Sequence, residues 1–73
     1  MDSEIIEIMR DIFNVEIDED SNKQNIDEWD SFNHIEILDC IEKKYNIRFT
    51  DEEMGSINSF KDLSRMVNEK KKI

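Results

Sequence analysis

The chain has 73 residues, with no proline, a single glycine and a formal net charge of −9. A chain of this length forms one small, marginally stable domain, without room for both a core and a deep catalytic cleft. The acidity argues against a nucleic-acid-binding protein, because Lys and Arg are needed to bind phosphate backbones. The scarcity of helix breakers predicts an all-α fold: a small four-helix bundle with a long first loop and a short third helix.

The charge is unevenly distributed along the chain. Residues 1–29 carry ten acidic and two basic side chains, whereas residues 54–73 carry a net charge of +3. Such acidity suits a protein that is recruited by basic patches on its partners, although it also serves solubility alone. One cysteine allows no internal disulfide, and from the acidic start and the lack of a long apolar run we expect neither a signal peptide nor a membrane-spanning segment. We therefore expect a cytoplasmic monomer with no nucleic-acid or membrane partner.

The first helix is predicted over residues 3–13, where apolar residues recur at helical spacing. A long polar loop follows over residues 14–29. We expect three apolar side chains to anchor this loop to the bundle, namely Val15, Ile17 and Ile26.

Residues 18–22 begin like a calcium-binding loop, with the pattern Asp-x-Asp-x-Asn. The pattern then fails, because Lys23 occupies the position that requires glycine and Trp29 the position that requires glutamate. We therefore predict no metal site, and leave open whether this loop binds divalent ions loosely.

The second helix is predicted over residues 31–45, with Asp30 or Ser31 as its N-cap. Ser31 thus lies at a helix N-terminus, where unpaired N–H groups and the helix dipole favour a phosphate. Trp29 is expected to pack as a hydrophobic staple on the first turn, with partner contact as the alternative. The core stripe of this helix is predicted to be Ile37, Leu38, Ile41 and Tyr45.

The third helix is predicted over residues 51–55. Thr50 and Glu53 form a capping box at its start, and Gly55 is expected as the glycine that follows its end. The fourth helix is predicted over residues 59–70, capped by Ser59 and followed by a basic tail that includes Lys72. Its apolar face is predicted to be Phe60, Leu63, Met66 and Val67.

Two reactive groups are set aside as catalytic candidates. Asp30, Ser31 and His34 lie too close together at a helix start to form a catalytic triad, so we predict no enzyme activity. His34 is expected to be exposed near Ser31. Cys40 is expected to be a small buried residue, since no other ligand lies at metal-binding spacing.

The stretch from Trp29 to Val67 resembles the acyl carrier protein family without a gap. The similarity lies in Asp-Ser-Phe at 30–32, Ile-Glu-Ile-Leu at 35–38, Tyr45, and Ile-Arg-Phe-Thr-Asp-Glu-Glu at 47–53. Residues 1–29 match only in pattern, as one helix and a loop. The resemblance implies that Ser31 carries 4′-phosphopantetheine derived from coenzyme A, with Asp30 as the motif aspartate and cap.

The resemblance also implies a function and partners. The chain would carry an acyl or aminoacyl group as a thioester, and would meet a phosphopantetheinyl transferase and acyl-loading and acyl-using enzymes with basic docking patches. Phe32 and Ile35 could stay exposed for partners, line the mouth of an acyl pocket, or belong to the core. The implied partner surface is Phe32, Ile35, Glu36, Asp39 and Glu42. The alternatives are a peptidyl or D-alanyl carrier, or a cofactor-free acidic interaction protein that docks through helix two.

Three residues depart from the fatty-acid-synthesis branch of that family. Asp39 stands where that branch usually has an apolar residue, Lys43 where it has an acid, and Trp29 where it has a small residue. We expect these changes on the partner-facing surface, which predicts a specialised stand-alone carrier. The cargo and the pathway, in lipid or polyketide synthesis or elsewhere, stay open.

Overall fold

The computed structural model describes residues 2–71 and contains four helices in this range: α1 (Asp2–Phe13), α2 (Ser31–Tyr45), α3 (Asp51–Ser56) and α4 (Phe60–Lys71). The described residues form no strand, and a single isolated bridge joins Asn22 to Ser59. The predicted all-α bundle with a long first loop and a short third helix is therefore confirmed. The predicted tail residue Lys72 lies outside the described range. No helix within that range combines the length and apolarity needed to cross a membrane.

The core lies where the apolar faces of α1, α2 and α4 meet. These faces follow helical spacing, so each helix turns one stripe inward and its charged residues outward. Burying each large side chain stabilises the fold by about 1.5–3 kcal/mol. Tyr45 and Met66, both predicted to be core, lie half-buried at its edge. The fully buried large side chains are Ile5, Met9, Ile37, Leu38, Ile41, Ile57, Phe60, Leu63 and Val67.

The long first loop is anchored by apolar side chains and by backbone bonds to the start of α4. Ile17 is buried, and Val15 and Ile26 pack partly buried against the core, as predicted. The backbone N–H of Phe60 donates to the carbonyl oxygen of Ser21 at 2.9 Å. This bond, and the bridge between Asn22 and Ser59, fix the middle of the loop to the start of α4.

The calcium-like stretch uses its polar side chains to hold its own backbone. The Asp18 carboxylate accepts the Asp20 N–H at 2.8 Å, and the Asn22 side-chain oxygen accepts the N–H groups of Gln24 and Asn25. Within residues 2–71, no three or more His, Cys, Asp or Glu side chains cluster as metal ligands would.

Side-chain caps set the starts of the three later helices. Asp30 is the N-cap of α2, and its carboxylate accepts the Asn33 N–H at 2.8 Å. The capping box of Thr50 and Glu53 is confirmed on α3. Ser59 accepts the Asp62 N–H at 3.0 Å, as expected for the cap of α4. Such caps are each worth about 1 kcal/mol.

The predicted role of Gly55 is wrong. Helix α3 runs on to Ser56, so Gly55 lies inside it, and its φ is not positive. The helix ends because Ile57 adopts an extended conformation and is fully buried. Burial of this isoleucine, rather than a glycine turn, stops the helix.

Candidate functional site

Ser31 is the first residue of α2, and its side chain is exposed. Helix geometry leaves the N–H groups of the first turn without intrahelical acceptors. Here the Asn33 N–H is bonded to the Asp30 side chain, which leaves those of Ser31 and Phe32 available. Within the described residues, the Ser31 hydroxyl has no hydrogen-bond partner. The site therefore presents a free hydroxyl beside N–H groups that attract a negative charge.

Two large apolar side chains next to Ser31 are exposed. Phe32 is 74% exposed and Ile35 is 54% exposed, which excludes the core alternative for both. A cleft of about 500 Å³ separates the serine end of α2 from α3. Ile35 lines this cleft and Phe32 does not. The cleft is lined by Trp29, Ser31, His34, Ile35, Met54 and Gly55, among others.

The acidic side chains of α2 differ in their availability. Glu36 and Asp39 are exposed, and neither belongs to a salt bridge among the described residues. Glu42 is half-buried, and its carboxylate accepts the backbone N–H of Phe49 at 2.8 Å. Glu42 therefore holds the segment that leads into α3, while Glu36 and Asp39 face solvent.

His34 is buried, so its predicted exposure is wrong. The Trp29 indole N–H donates to His34 Nδ1 at 2.9 Å, and His34 Nε2 lies 2.8 Å from the Met54 carbonyl oxygen. Both contacts are satisfied together only by the neutral ring that carries its proton on Nε2. Burial is the main cause that lowers the pKa of His34; the Met54 bond opposes this effect and Lys23 adds to it. With both nitrogens bonded, the ring has none free to activate Ser31.

Trp29 is 5% exposed and packs inside the protein. Its ring centroid lies 5.4 Å from that of Phe13 and 6.2 Å from that of His34. Trp29 precedes the N-cap and His34 is the fourth helical residue, so the predicted staple is present, with a histidine as partner. The expectation that Trp29 differs from the fatty-acid branch on the partner-facing surface is wrong, because this residue is buried.

Cys40 is exposed, so its predicted burial is also wrong. It lies outside the stripe formed by Ile37, Leu38 and Ile41, and turns away from the core.

The sequence reasoning missed the role of His34. The available signal was a tryptophan before the N-cap and a histidine at the fourth helical position, which are the two positions that a helix staple brings together.

Two solved structures are similar to this chain over most of its length. An acyl carrier protein from Thermotoga maritima is 25% identical, with a TM-score of 0.78 over 93% of this chain and 82% of its own. A holo acyl carrier protein from Geobacter metallireducens is 25% identical, with a TM-score of 0.82 over 94% and 83% of the two chains. No protein-family model and no curated protein sequence matches the chain. Both structural neighbours are carrier proteins, not enzymes.

Proposed function

Because the chain has the fold of the acyl carrier proteins, and is thus a carrier rather than an enzyme, we propose that Ser31 carries 4′-phosphopantetheine. The observation that carries this proposal is the exposed, unbonded hydroxyl of Ser31 in the first turn of α2. Coenzyme A supplies the arm, and a phosphopantetheinyl transferase attaches it. The arm supplies the thiol on which an acyl or aminoacyl thioester forms.

The residues at the serine end fit a covalent phosphodiester. The hydroxyl is exposed, so a transferase can reach it without unfolding α2. The N–H groups of Ser31 and Phe32 have no helix acceptor and favour the negative charge of the phosphodiester. The role of Asp30 is to hold the first turn in place through the Asn33 N–H.

Partner docking would use the exposed side of α2 beside Ser31. Phe32 and Ile35 offer an apolar contact, since exposed apolar clusters mark interaction sites. Glu36 and Asp39 add negative charge, which speeds encounter with a basic enzyme surface more than it strengthens the complex. Glu42 contributes less to this surface because its carboxylate is bonded to Phe49.

The partners would be dedicated enzymes rather than those of ordinary fatty acid synthesis. Asp39 and Lys43 are both exposed on α2. An enzyme that expects an apolar residue and an acid at these places would desolvate one charge and repel the other, which costs on the order of a few kcal/mol. The double substitution Asp39→Met with Lys43→Glu should raise the specificity constant of a ketoacyl synthase for the acylated carrier. Equal specificity constants for wild type and variant would indicate that the protein serves general lipid synthesis.

The attachment is tested by intact-mass measurement after incubation with coenzyme A and a broad-specificity transferase. Wild type should gain one phosphopantetheine and Ser31→Ala none, with unchanged circular dichroism. Ser3→Ala is the matched control, because Ser3 is also an exposed serine in the first turn of a helix. Modification of Ser31→Ala would refute the site. A folded wild type that stays unmodified would favour a cofactor-free interaction protein, supported by the exposed Phe32 and Ile35.

A further inference from the structure

His34 connects three segments beneath the serine end of α2. It belongs to α2, its Nδ1 accepts from Trp29 at the end of the first loop, and its Nε2 lies on the Met54 carbonyl of α3. Met54 is 20 residues away along the chain, so the second contact joins separate elements. The proposed function uses none of these bonds, which leaves a buried histidine without an assigned role.

Helix α3 has few other attachments to the bundle. It has six residues, too few for independent helical stability, and none of them is buried. Met54 packs partly buried against the core. Glu53 pairs with Lys70 of α4 at 2.9 Å. The hydrogen bond between His34 and the Met54 carbonyl ties the backbone of α3 to α2.

The position of α3 sets the width of the cleft beside Ser31. Ser31 and Ile35 form the wall of the cleft on α2, and Met54 and Gly55 form the wall on α3. A Cβ atom placed on Gly55 would meet nothing within 4 Å, so this wall faces open space. Trp29 and His34 also line this cleft. The contact between His34 Nε2 and the Met54 carbonyl joins α2 to α3, so a change in this bond would alter the separation of the two helices.

We propose that His34 is a positioning residue whose neutral ring, protonated on Nε2 alone, holds α3 against the serine end of α2 and so sets the width of the cleft beside Ser31. A second proton on Nδ1 would remove the acceptor for the Trp29 N–H and leave two donors facing each other. This inference concerns the site of the proposed function. Only one consequence rests on the proposed function: a phosphopantetheine arm on Ser31 would meet this cleft.

Burial is the main cause that keeps the ring of His34 neutral near neutral pH, and the charge of Lys23 adds to it. Lys23 from the first loop and Asp30 from the cap of α2 line the same cleft with opposite charges, while α3 presents only Met54 and Gly55 to it. Burial lowers the pKa of His34 below its ordinary value of 6.5. The unfolded chain therefore binds this proton at a higher pH than the folded chain does. The stability from the neutral ring is complete above pH 6.5 and is lost as the pH falls through the lowered pKa.

The test is a nuclear magnetic resonance titration of the full chain, with ¹⁵N-labelled histidine and tryptophan. One histidine and one tryptophan make every ring signal unambiguous. At neutral pH, His34 should carry its proton on Nε2, and the Trp29 indole proton should show a hydrogen-bonded shift. On acidification, protonation of His34 should coincide with a loss of amide protection in α3 and not in α1, where protection is the exchange rate compared with the intrinsic rate at the same pH. A proton on Nδ1 at neutral pH, or exchange in α3 that ignores the titration, would overturn the proposal.

Three variants separate positioning from general stability. Trp29→Phe keeps an aromatic ring but removes the N–H that donates to His34, so the pKa of His34 should rise. The pH at which the amides of α3 lose protection should rise with it. His34→Phe removes both bonds, of which only the bond to Met54 reaches α3. The amides of α3 should therefore exchange about fivefold faster, as expected for one lost hydrogen bond, and their protection should show no step with pH. Lys70→Met, the control, should raise exchange in α3 at every pH and keep the step. A step that persists in His34→Phe would overturn the proposal.

These measurements are independent of any modification. If His34→Phe does not fold, the wild-type titration and Trp29→Phe still decide the question. The same titration on Ser31→Ala should give the wild-type result, so a failure of the proposed attachment and a failure of this inference are distinguishable. If the amides of α3 in Ser31→Ala no longer lost protection when His34 is protonated, His34 would not be the residue that positions α3.

Discussion

The two ends of α2 use their exposed side chains in different ways. At the Tyr45 end, polar groups bond to other helices: the Tyr45 hydroxyl donates to Glu4 at 2.9 Å, and the Lys71 ammonium lies 4.8 Å from the Tyr45 ring. At the serine end, the Ser31 hydroxyl is unbonded within the described residues, and Phe32 and Ile35 are exposed. One end fastens the bundle, while the other leaves its surface available to a partner.

The stability of the fold does not explain the exposed apolar residues at the serine end. Exposed Phe32 and Ile35 contribute little to stability, and polar side chains at these positions would serve solubility better. The layer below them is well bonded, because Trp29 and His34 satisfy each other inside the protein. The serine end therefore combines an adaptable surface with a fixed base, as a docking site requires.

The largest expected effect on stability is the difference between truncating a buried and an exposed apolar side chain of α2. Ile41→Ala should lower the free energy of unfolding by about 2–5 kcal/mol, because Ile41 is fully buried and its loss leaves a cavity. Phe32→Ala should change it by less than about 0.5 kcal/mol, since Phe32 is exposed. Urea denaturation followed by circular dichroism measures both. Equal losses would mean that Phe32 is part of the core.

A smaller effect is expected at the cap of α2. Asp30→Ala removes the acceptor of the Asn33 N–H and should cost about 1 kcal/mol of unfolding free energy. Asp30→Asn retains a side-chain oxygen and should keep most of this stability. If the two variants lost the same amount in urea denaturation, the cap bond would not be the cause.

A still smaller effect is expected at the Tyr45 end, in alkaline solution. Burial first, and then the bond to Glu4, raise the pKa of Tyr45 from 10.0 to about 12. The folded chain therefore keeps this proton at a pH where the unfolded chain loses it, and stability should fall as the pH rises from 10 towards 12. Ultraviolet absorbance of the single tyrosine follows the titration. Glu4→Gln should lower the midpoint, and an unchanged midpoint would contradict the assigned role of Glu4.

The smallest effect concerns salt. The net charge of −8 in residues 1–29 should make these residues repel one another, so moderate salt should raise the melting temperature by about a few degrees. Magnesium chloride and sodium chloride at equal ionic strength should act alike, because the polar side chains of residues 18–22 bond to their own loop. A much larger effect of magnesium would indicate ion binding in the loop.

The sequence predicted the features that rest on local spacing. Helical periodicity placed the four helices, and the caps at Thr50 and Ser59 follow from side-chain chemistry that acts over three residues. The end of α3 was missed because it depends on burial of Ile57, a tertiary effect.

The errors at the site arise from long-range packing. His34 was expected on the surface. Local pattern indicates its contact with Trp29, but not its bond to Met54, which lies 20 residues away. Cys40 was expected among apolar neighbours, but adjacency in sequence does not decide which face of a helix is covered. By contrast, Ser31 was placed correctly at the helix start, because an N-cap is a local feature.

The central claim is tested most directly by the tryptic peptide of residues 24–43, taken from protein isolated from its native source. This peptide contains Ser31 as its only serine and Cys40 as its only thiol. After reduction and alkylation, the account predicts phosphopantetheine on Ser31 and two alkyl groups, one on Cys40 and one on the thiol of the arm. An unmodified Ser31 with a single alkyl group on Cys40, in protein from a cell that contains an active transferase, would contradict the account.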